Sequence, residues 1–347
     1  MATHNYVGGE RQYLIASVLA SKLLNAGVRA STVVPRSILV VKLDEIGDMA
    51  LCTHVFALLK RDFPEAHITV LCKPFVKVLI EADPHINDII TSVDEWTRTF
   101  DVVVELRGTW ATLRKALLMR PRLRLDRATV RLKNKLSDGQ LHETKTNFQI
   151  IEPLLKNKEP LLPRIYIDKE TRQTVRSFLQ ENDLHSYAVV APGARHPLRE
   201  WPPDRFASII RWVYEHHGIK SICAGGPSDE SKIADIIELC KGSAVAAPNT
   251  FSLSHFAGLS EGASLFIGNE SGPLHIAASF GIPTVGLFGP GIPRIFSPVG
   301  SRSAFVHHLL ACNPCDQIHC VHSDNPCIRR ITTTEVREAI GDVLTRP

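Results

Sequence analysis

The sequence predicts two α/β domains in tandem, each built on a parallel β-sheet. Three observations carry this. At 347 residues the chain exceeds one ordinary domain and suits two of about 150 residues each. Short apolar runs alternate with helix-length amphipathic stretches in both halves, the pattern of βαβ units. Several of those runs end in glycine-rich turns, as strand-end loops of parallel sheets do where they approach a ligand. A composition of 44% hydrophobic and 22% charged residues belongs to a globular chain with a sizeable core. A formal charge of +4 is too small to point to nucleic acid, and no nucleic-acid partner is expected.

Taken in order, residues 1–35 read as an N-terminal helical extension, because the first strong strand begins only after Pro35. Within the extension Leu14, Ile15, Val18, Leu19, Leu23 and Leu24 recur at helical spacing, with Arg11, Lys22 and Arg29 nearby. A helix packed on the body is favoured there over a helix lying on a membrane surface. Residues 36–162 form the first domain. Its strands are expected at 38–41, 67–72, 86–91 and 101–106, with a helix over 49–61 and a short helix ending near Asp83-Pro84. Residues 163–347 form the second domain, with strands at 188–191, 221–224, 265–268 and 284–288. Helices over 204–216, 229–240 and 253–258 lie between them, and a helix over 333–344 closes the chain. The uncharged stretch 271–293 holds five glycines and four prolines, so it reads as helix, turn and strand rather than a membrane span. The N-terminus lacks the order of a secretory signal, which makes the cytoplasm the expected compartment and reduced thiols the expected state.

The turn after the first strand, Lys42-Leu43-Asp44-Glu45-Ile46-Gly47-Asp48, runs into a helix. Gly47 permits a tight turn and Asp48 sits where strand-end loops expose side chains. Asp48 reads equally as an ordinary acid at a helix N-terminus, favoured by the dipole. In the second domain Gly268-Asn269-Glu270-Ser271-Gly272-Pro273-Leu274-His275 places Pro273 in the first turn of a helix, with Ser271 and Gly272 offering backbone N–H groups suited to phosphate. Glu270 can accept hydrogen bonds from a sugar or ribose. His275 either reaches the same phosphate or is a satisfied core residue, and a lone histidine on an apolar face favours the second. Pro192-Gly193-Ala194, leading through Arg199 to Trp201-Pro202, and Gly225-Gly226-Pro227-Ser228 are two further strand-to-helix loops. Three such loops in one domain indicate a nucleotide-diphosphate site.

These segments keep the order and spacing of a known family. Over roughly residues 37–345 the sequence resembles the ADP-heptose:lipopolysaccharide heptosyltransferases, glycosyltransferase family nine. The resemblance implies a GT-B fold, two Rossmann-like domains facing a cleft, with donor on the second domain and acceptor on the first. It implies an inverting glycosyltransferase that moves a heptose from ADP-heptose to an acceptor of the lipopolysaccharide inner-core type. Asp48 then matches the catalytic base, Arg199 a donor-binding lysine, and Glu270-Ser271-Gly272 an Asp-Ser/Thr-Gly donor motif. Arg for Lys and Glu for Asp are departures that bear on the donor sugar. The donor-side candidates are Gly47, Gly193, Ala194, Arg199, Gly225, Gly226, Ser228, Glu270, Ser271, Gly272 and His275. No Asp-x-Asp pair is present, so catalysis without a metal cofactor is expected, protein cations standing in for Mg²⁺. Two alternatives stand beside this reading: the same fold transferring a sugar to a protein or small molecule, and a catalytically silent nucleotide-sugar-binding protein. Asp48 argues against silence.

From residue 107 to 135 there are ten Lys or Arg and a single acid, Asp126. An anionic glycolipid acceptor gives this run a partner, with Lys73, Arg107, Arg120, Arg122 and Arg124 as acceptor-side candidates. A solvated helix face is the plainer reading. A glycolipid acceptor also brings the expectation of peripheral contact with the inner membrane. Of the cysteines, Cys52, Cys72, Cys223 and Cys240 lie among apolar residues and read as buried small hydrophobes. Cys312, Cys315, Cys320 and Cys327 form C-x2-C-x4-C-x6-C with His319 and His322 between, a set that suits structural zinc or iron as well as it suits free or redox-active thiols.

Overall fold

The structure is a computed structural model that describes residues 8–136, 141–313, 315, 317 and 319–346. Its contacts divide the chain into two compact units, the first running through Tyr166 and the second starting at Ile167.

The first unit is a five-stranded parallel sheet of order β3-β2-β1-β4-β5, with β1 (Ser37–Lys42), β2 (His67–Cys72), β3 (Asp88–Ile90), β4 (Val102–Arg107) and β5 (Leu123–Asp126). Helix α1 (Gly8–Leu24) precedes the sheet. Helices α2 (Ile46–Ala50) and α3 (His54–Asp62) follow β1, α4 (Trp110–Met119) follows β4, α5 (Arg127–Leu136) follows β5, and α6 (Glu143–Ile151) comes next. Central β1 is covered on both faces: Ile38, Leu39, Val40 and Val41 are all fully buried, hence its unbroken apolar run. The helix expected over 49–61 is two helices. The N–H groups of Cys52 and Thr53 reach back only three residues, to Met49 and Ala50, and the Thr53 hydroxyl also donates to the Ala50 carbonyl at 3.1 Å. That competition tightens the chain and breaks the helix.

The extension packs on the body as expected, against α4, α5 and β5. Of the six apolar residues expected there, Leu14, Val18 and Leu24 are only half-buried, and the innermost face is mainly polar. Tyr13, Ser17, Ser21 and Asn25, four residues apart, turn inward and Ile15, Leu19 and Leu23 turn out. The reason lies in β4 and β5, which carry the buried charges Glu105, Arg124 and Asp126. The Arg124 guanidinium donates to Glu105 (2.6 Å), to both Ser17 oxygens (2.9 and 2.8 Å) and to the Ser21 hydroxyl (2.6 Å), while Ser21 donates to Asp126 (2.7 Å). Buried charges need such partners. The Asn25 amide then exchanges two 2.8 Å bonds with the Arg124 backbone, covering the free edge of β5 as another strand would.

The second unit is a six-stranded parallel sheet of order β11-β10-β9-β6-β7-β8: β6 (Tyr187–Ala191), β7 (Lys220–Cys223), β8 (Ala244–Ala246), β9 (Leu265–Asn269), β10 (Thr284–Phe288) and β11 (Ser303–His307). Its helices are α7 (Lys169–Glu181), α8 (Pro203–His217), α9 (Glu230–Leu239), α10 (Leu253–Glu261), α11 (Gly272–Ala278), α12 (Pro293–Phe296), α13 (Cys327–Arg330) and α14 (Thr333–Thr345). Strands β8 and β11 are the edges, short or half-exposed, and so leave no apolar run to read. Trp201, fully buried, anchors the core and donates its indole N–H to the Ile331 carbonyl at 2.9 Å.

Both sheets are Rossmann-like and each reverses direction once. Strand order turns around between β1 and β4 in the first unit and between β6 and β9 in the second. Loops leaving the carboxyl ends of two such neighbours diverge and open a crevice, where ligands of open α/β sheets bind.

Candidate active site

In the first unit the loop after β1 enters that crevice. Asp48 lies in the first turn of α2, partly buried, with Gly47 beside it. Around it is a charged network. Lys42, the last residue of β1 and fully buried, meets Asp44 at 2.9 Å and Glu143 at 3.3 Å. Arg127 holds Glu143 by two bonds of 2.6 Å. Arg107, ending β4, reaches Asp44 at 3.4 Å, and Lys73, just after β2, reaches Glu45 at 2.7 Å.

Burial alone would discharge these groups, so the pairing decides their state. Burial pulls the Lys42 ammonium down, but Asp44 and Glu143 outweigh it and hold the cation charged. Burial pushes the Glu143 carboxyl up, but Arg127 and Lys42 outweigh it and hold the group well below the usual carboxylate range. Asp48 goes the other way. Burial lifts its carboxyl to about 6, Lys42 and Arg127 holding it back, Asp44 and Glu143 adding to the rise. A carboxylate poised near neutral pH, among groups whose charges are fixed, is the condition a general base needs.

Of the acceptor-side candidates, Lys73 and Arg107 stand at the carboxyl ends of the strands flanking β1. The other three do not join them. Arg124 is 1% exposed and spent on Glu105, Ser17 and Ser21, so no acceptor reaches it. Arg120 and Arg122 precede β5 and so stand at the amino edge of the parallel sheet, the end away from Asp48. Sequence reasoning gave Lys42 and Asp44 no role of their own, placed Arg127 only within the basic run, and missed Glu143. The signal available was a lysine ending an otherwise apolar central strand, which requires a buried partner.

In the second unit the loops after β6 and β9 meet at the reversal. Asn269, fully buried at the end of β9, ties them: its amide donates to the Pro192 carbonyl (2.7 Å) and its oxygen accepts from the Trp201 N–H (3.0 Å). Glu270 follows, 5% exposed, with one carboxylate oxygen lacking a hydrogen-bond partner and the Arg199 guanidinium 3.9 Å away. Burial raises this carboxyl to about 7, Arg199 holding it back. A Cβ at Gly291 would fall 1.7 Å from that carboxylate, so glycine keeps its place open. Ser271 stands just before α11, its hydroxyl donating to the Asn269 carbonyl at 3.2 Å rather than capping the helix, and Gly272 begins it. Arg199 also donates to Gln317.

Two expected phosphate donors are engaged otherwise. The Ala194 N–H donates to Glu200 (3.2 Å) and the Gly226 N–H to Asp229 (3.0 Å), placing protein carboxylates where phosphate was expected. The Asp229 carboxylate lies over Gly193 and Gly225, where any Cβ would approach it to 2.3 and 2.8 Å, so these glycines serve local packing. Ser228 is exposed beside them. His275 is 6% exposed on α11, as the core reading expects.

Cys52, Cys72, Cys223 and Cys240 are buried. Cys312, Cys315, Cys320 and Cys327 line one cavity of about 40 Å³ with His319 and His322. Among the described residues no three His, Cys, Asp or Glu side chains stand as a metal site.

The chain as a whole is similar to known proteins. The model of glycosyltransferase family 9 (heptosyltransferase) matches residues 98–324. Lipopolysaccharide heptosyltransferase 3 of Escherichia coli is 25% identical over 284 residues, 70% of this chain and 80% of that protein. Among solved structures, the glycosyltransferase family 9 protein of Veillonella parvula superposes with a TM-score of 0.75 at 20% identity, over 89% of this chain and 97% of that one. The ADP-heptose lipopolysaccharide heptosyltransferase II of Escherichia coli does so with a TM-score of 0.68 at 18% identity, over 89% and 98%. A family match over well more than half the chain, on two Rossmann-like sheets each with its crevice, leads to one conclusion: the chain belongs to glycosyltransferase family 9, the heptosyltransferase family, and is a glycosyltransferase.

Proposed function

We propose that the protein moves a heptose, with inversion, from an ADP-activated donor to an anionic glycolipid acceptor of the lipopolysaccharide inner-core type. The family match supports the donor and acceptor classes, and the observation that carries the transfer step is Asp48, in the first turn of α2 where the loop after β1 meets the strand reversal, its carboxyl lifted by burial to about 6. The acceptor hydroxyl oxygen attacks the anomeric carbon and forms the new glycosidic bond while its proton passes to Asp48. The bond from the anomeric carbon to the diphosphate oxygen breaks, and its electron pair leaves with ADP. Arg199 and the N–H groups at Ser271 and Gly272 stabilise the charge that develops on that oxygen. Glu270 accepts from hydroxyls of the donor, and Lys73 and Arg107 meet acidic groups of the acceptor. No step needs a metal, and the cysteine loop takes no part. Its four cysteines suit a structural zinc or iron ion as well as free thiols.

Titration calorimetry with ADP, UDP and GDP, followed by transfer assays with ADP-heptose and lipid-linked acceptors, tests the proposal. ADP is expected to bind tightest. Preference for UDP or GDP would overturn the donor, and ADP-heptose binding without transfer to any offered acceptor would favour a silent binding protein.

A further inference from the structure

We propose that the outward face of α1, with the adjoining faces of α4 and α5, is a docking surface for an anionic lipid bilayer. A helix on the surface of a globular protein turns its apolar stripe inward and its polar stripe to water. Helix α1 is the reverse. Tyr13, Ser17 and Ser21 face the body and are hydrogen-bonded there, while Ile15, Leu19 and Leu23, also four residues apart, are 62%, 59% and 70% exposed. The two helices packed against α1 also expose leucines, Leu118 (73%) on α4 and Leu132 (49%) on α5. Isolated exposed leucines need no explanation, but an ordered apolar stripe along a whole helix marks a surface built for an apolar partner.

Charge selects the partner. The same three helices expose Arg11, Lys22, Arg114 and Lys133, whereas residues 11–36, α4 and α5 contain no Asp or Glu at all. A second copy of the chain would bring mostly like charges face to face, Glu10 at the start of α1 being the one acid in the three helices, which disfavours self-association. An anionic bilayer satisfies both features, taking the leucines into the acyl boundary and the cations against its headgroups. Trp110, 43% exposed at the start of α4, has the amphipathic ring suited to that interface. No helix among the described residues is long and apolar enough to cross a membrane, so α1 would lie in the bilayer plane. The proposal rests on the glycolipid-acceptor reading for its purpose, since such an acceptor is met at a bilayer.

The test is co-sedimentation of the full chain with vesicles of phosphatidylglycerol and of phosphatidylcholine at low salt, without sugar nucleotide or acceptor. Binding is expected to phosphatidylglycerol and to weaken as salt is raised. The combined substitution Ile15→Gln, Leu19→Gln and Leu23→Gln should lower partitioning roughly 10²-fold, with circular dichroism unchanged because these side chains are exposed. Arg11→Gln and Lys22→Gln should each lower it about fivefold. Absence of wild-type binding, or binding indifferent to the triple substitution, would overturn the proposal. So would a wild-type dimer that the triple substitution makes monomeric, since a second copy would then be the occupant. Vesicle binding with no transfer to any glycolipid would sink the acceptor reading and leave the surface standing, whereas transfer without vesicle binding would do the opposite.

Discussion

Asp48→Asn should abolish transfer and stabilise the fold at once. The amide has nearly the shape of the carboxylate but cannot take the acceptor's proton, and a positioned general base is worth about 10²–10⁴ in rate. The stability effect follows from the shift. The native carboxyl titrates near 6 against an ordinary value of 3.8. Above pH 6 it is ionised in both states, and the folded chain carries a charge whose burial is incompletely compensated, at a cost of about 3 kcal/mol by linkage. Between 6 and 3.8 the native state binds the proton first, so stability rises as pH falls. Below 3.8 both states are protonated and the term vanishes. The asparagine variant should therefore be up to about 3 kcal/mol more stable than wild type at pH 7.5, with the gain fading as pH falls below 6 and gone by about pH 4. Removing the charge leaves Lys42 its bonds to Asp44 and Glu143, so no cation is orphaned. Urea unfolding at the two pH values, beside an assay of ADP release with acceptor, measures both effects. Near-normal turnover would refute the assignment and turn the search to Glu45. Loss of both activity and stability at pH 7.5 would mean that Asp48 holds the network together instead.

Glu143→Gln should cost about 3–5 kcal/mol at pH 7, because it strips Arg127 of a bidentate partner and Lys42 of one of two. Since Glu143 titrates below its ordinary 4.5 in the fold, that difference should shrink in urea unfolding as pH drops below 4.5. Binding of ADP-heptose should weaken as pH is lowered through about 7, where Glu270 takes up a proton, while ADP binding changes less; Glu270→Gln should flatten the profile in calorimetry. Metal analysis of freshly purified protein decides between the two readings of the cysteine loop, four titratable thiols without zinc or iron leaving it a free-thiol loop. About one equivalent of metal would show that the loop closes around an ion.

Much of the fold was legible in the sequence for a physical reason. Strands covered on both faces, such as β1 and β6, must be apolar throughout, and the loops at their carboxyl ends need glycine where backbone or carboxylates come close, as at Gly291 beside Glu270. Edge strands β8 and β11 escape because β8 is only three residues long and β11 is half-exposed, so neither leaves a distinct apolar run.

The class of fold, the family and the strand-end loops that carry Asp48, Arg199 and Glu270 are readable from sequence, since each depends on residues close in the chain. Tertiary structure alone decided what the charges do. Lys42 finds Glu143 across 101 positions and Arg124 finds Ser17 across 107. Whether a lysine or arginine serves a ligand or a buried partner depends on what the fold brings beside it. The same holds for α1: helical period announces an apolar stripe, but which stripe turns inward is set by the charges waiting on β4 and β5. An unpaired buried charge costs more than an exposed leucine, and the helix turned accordingly.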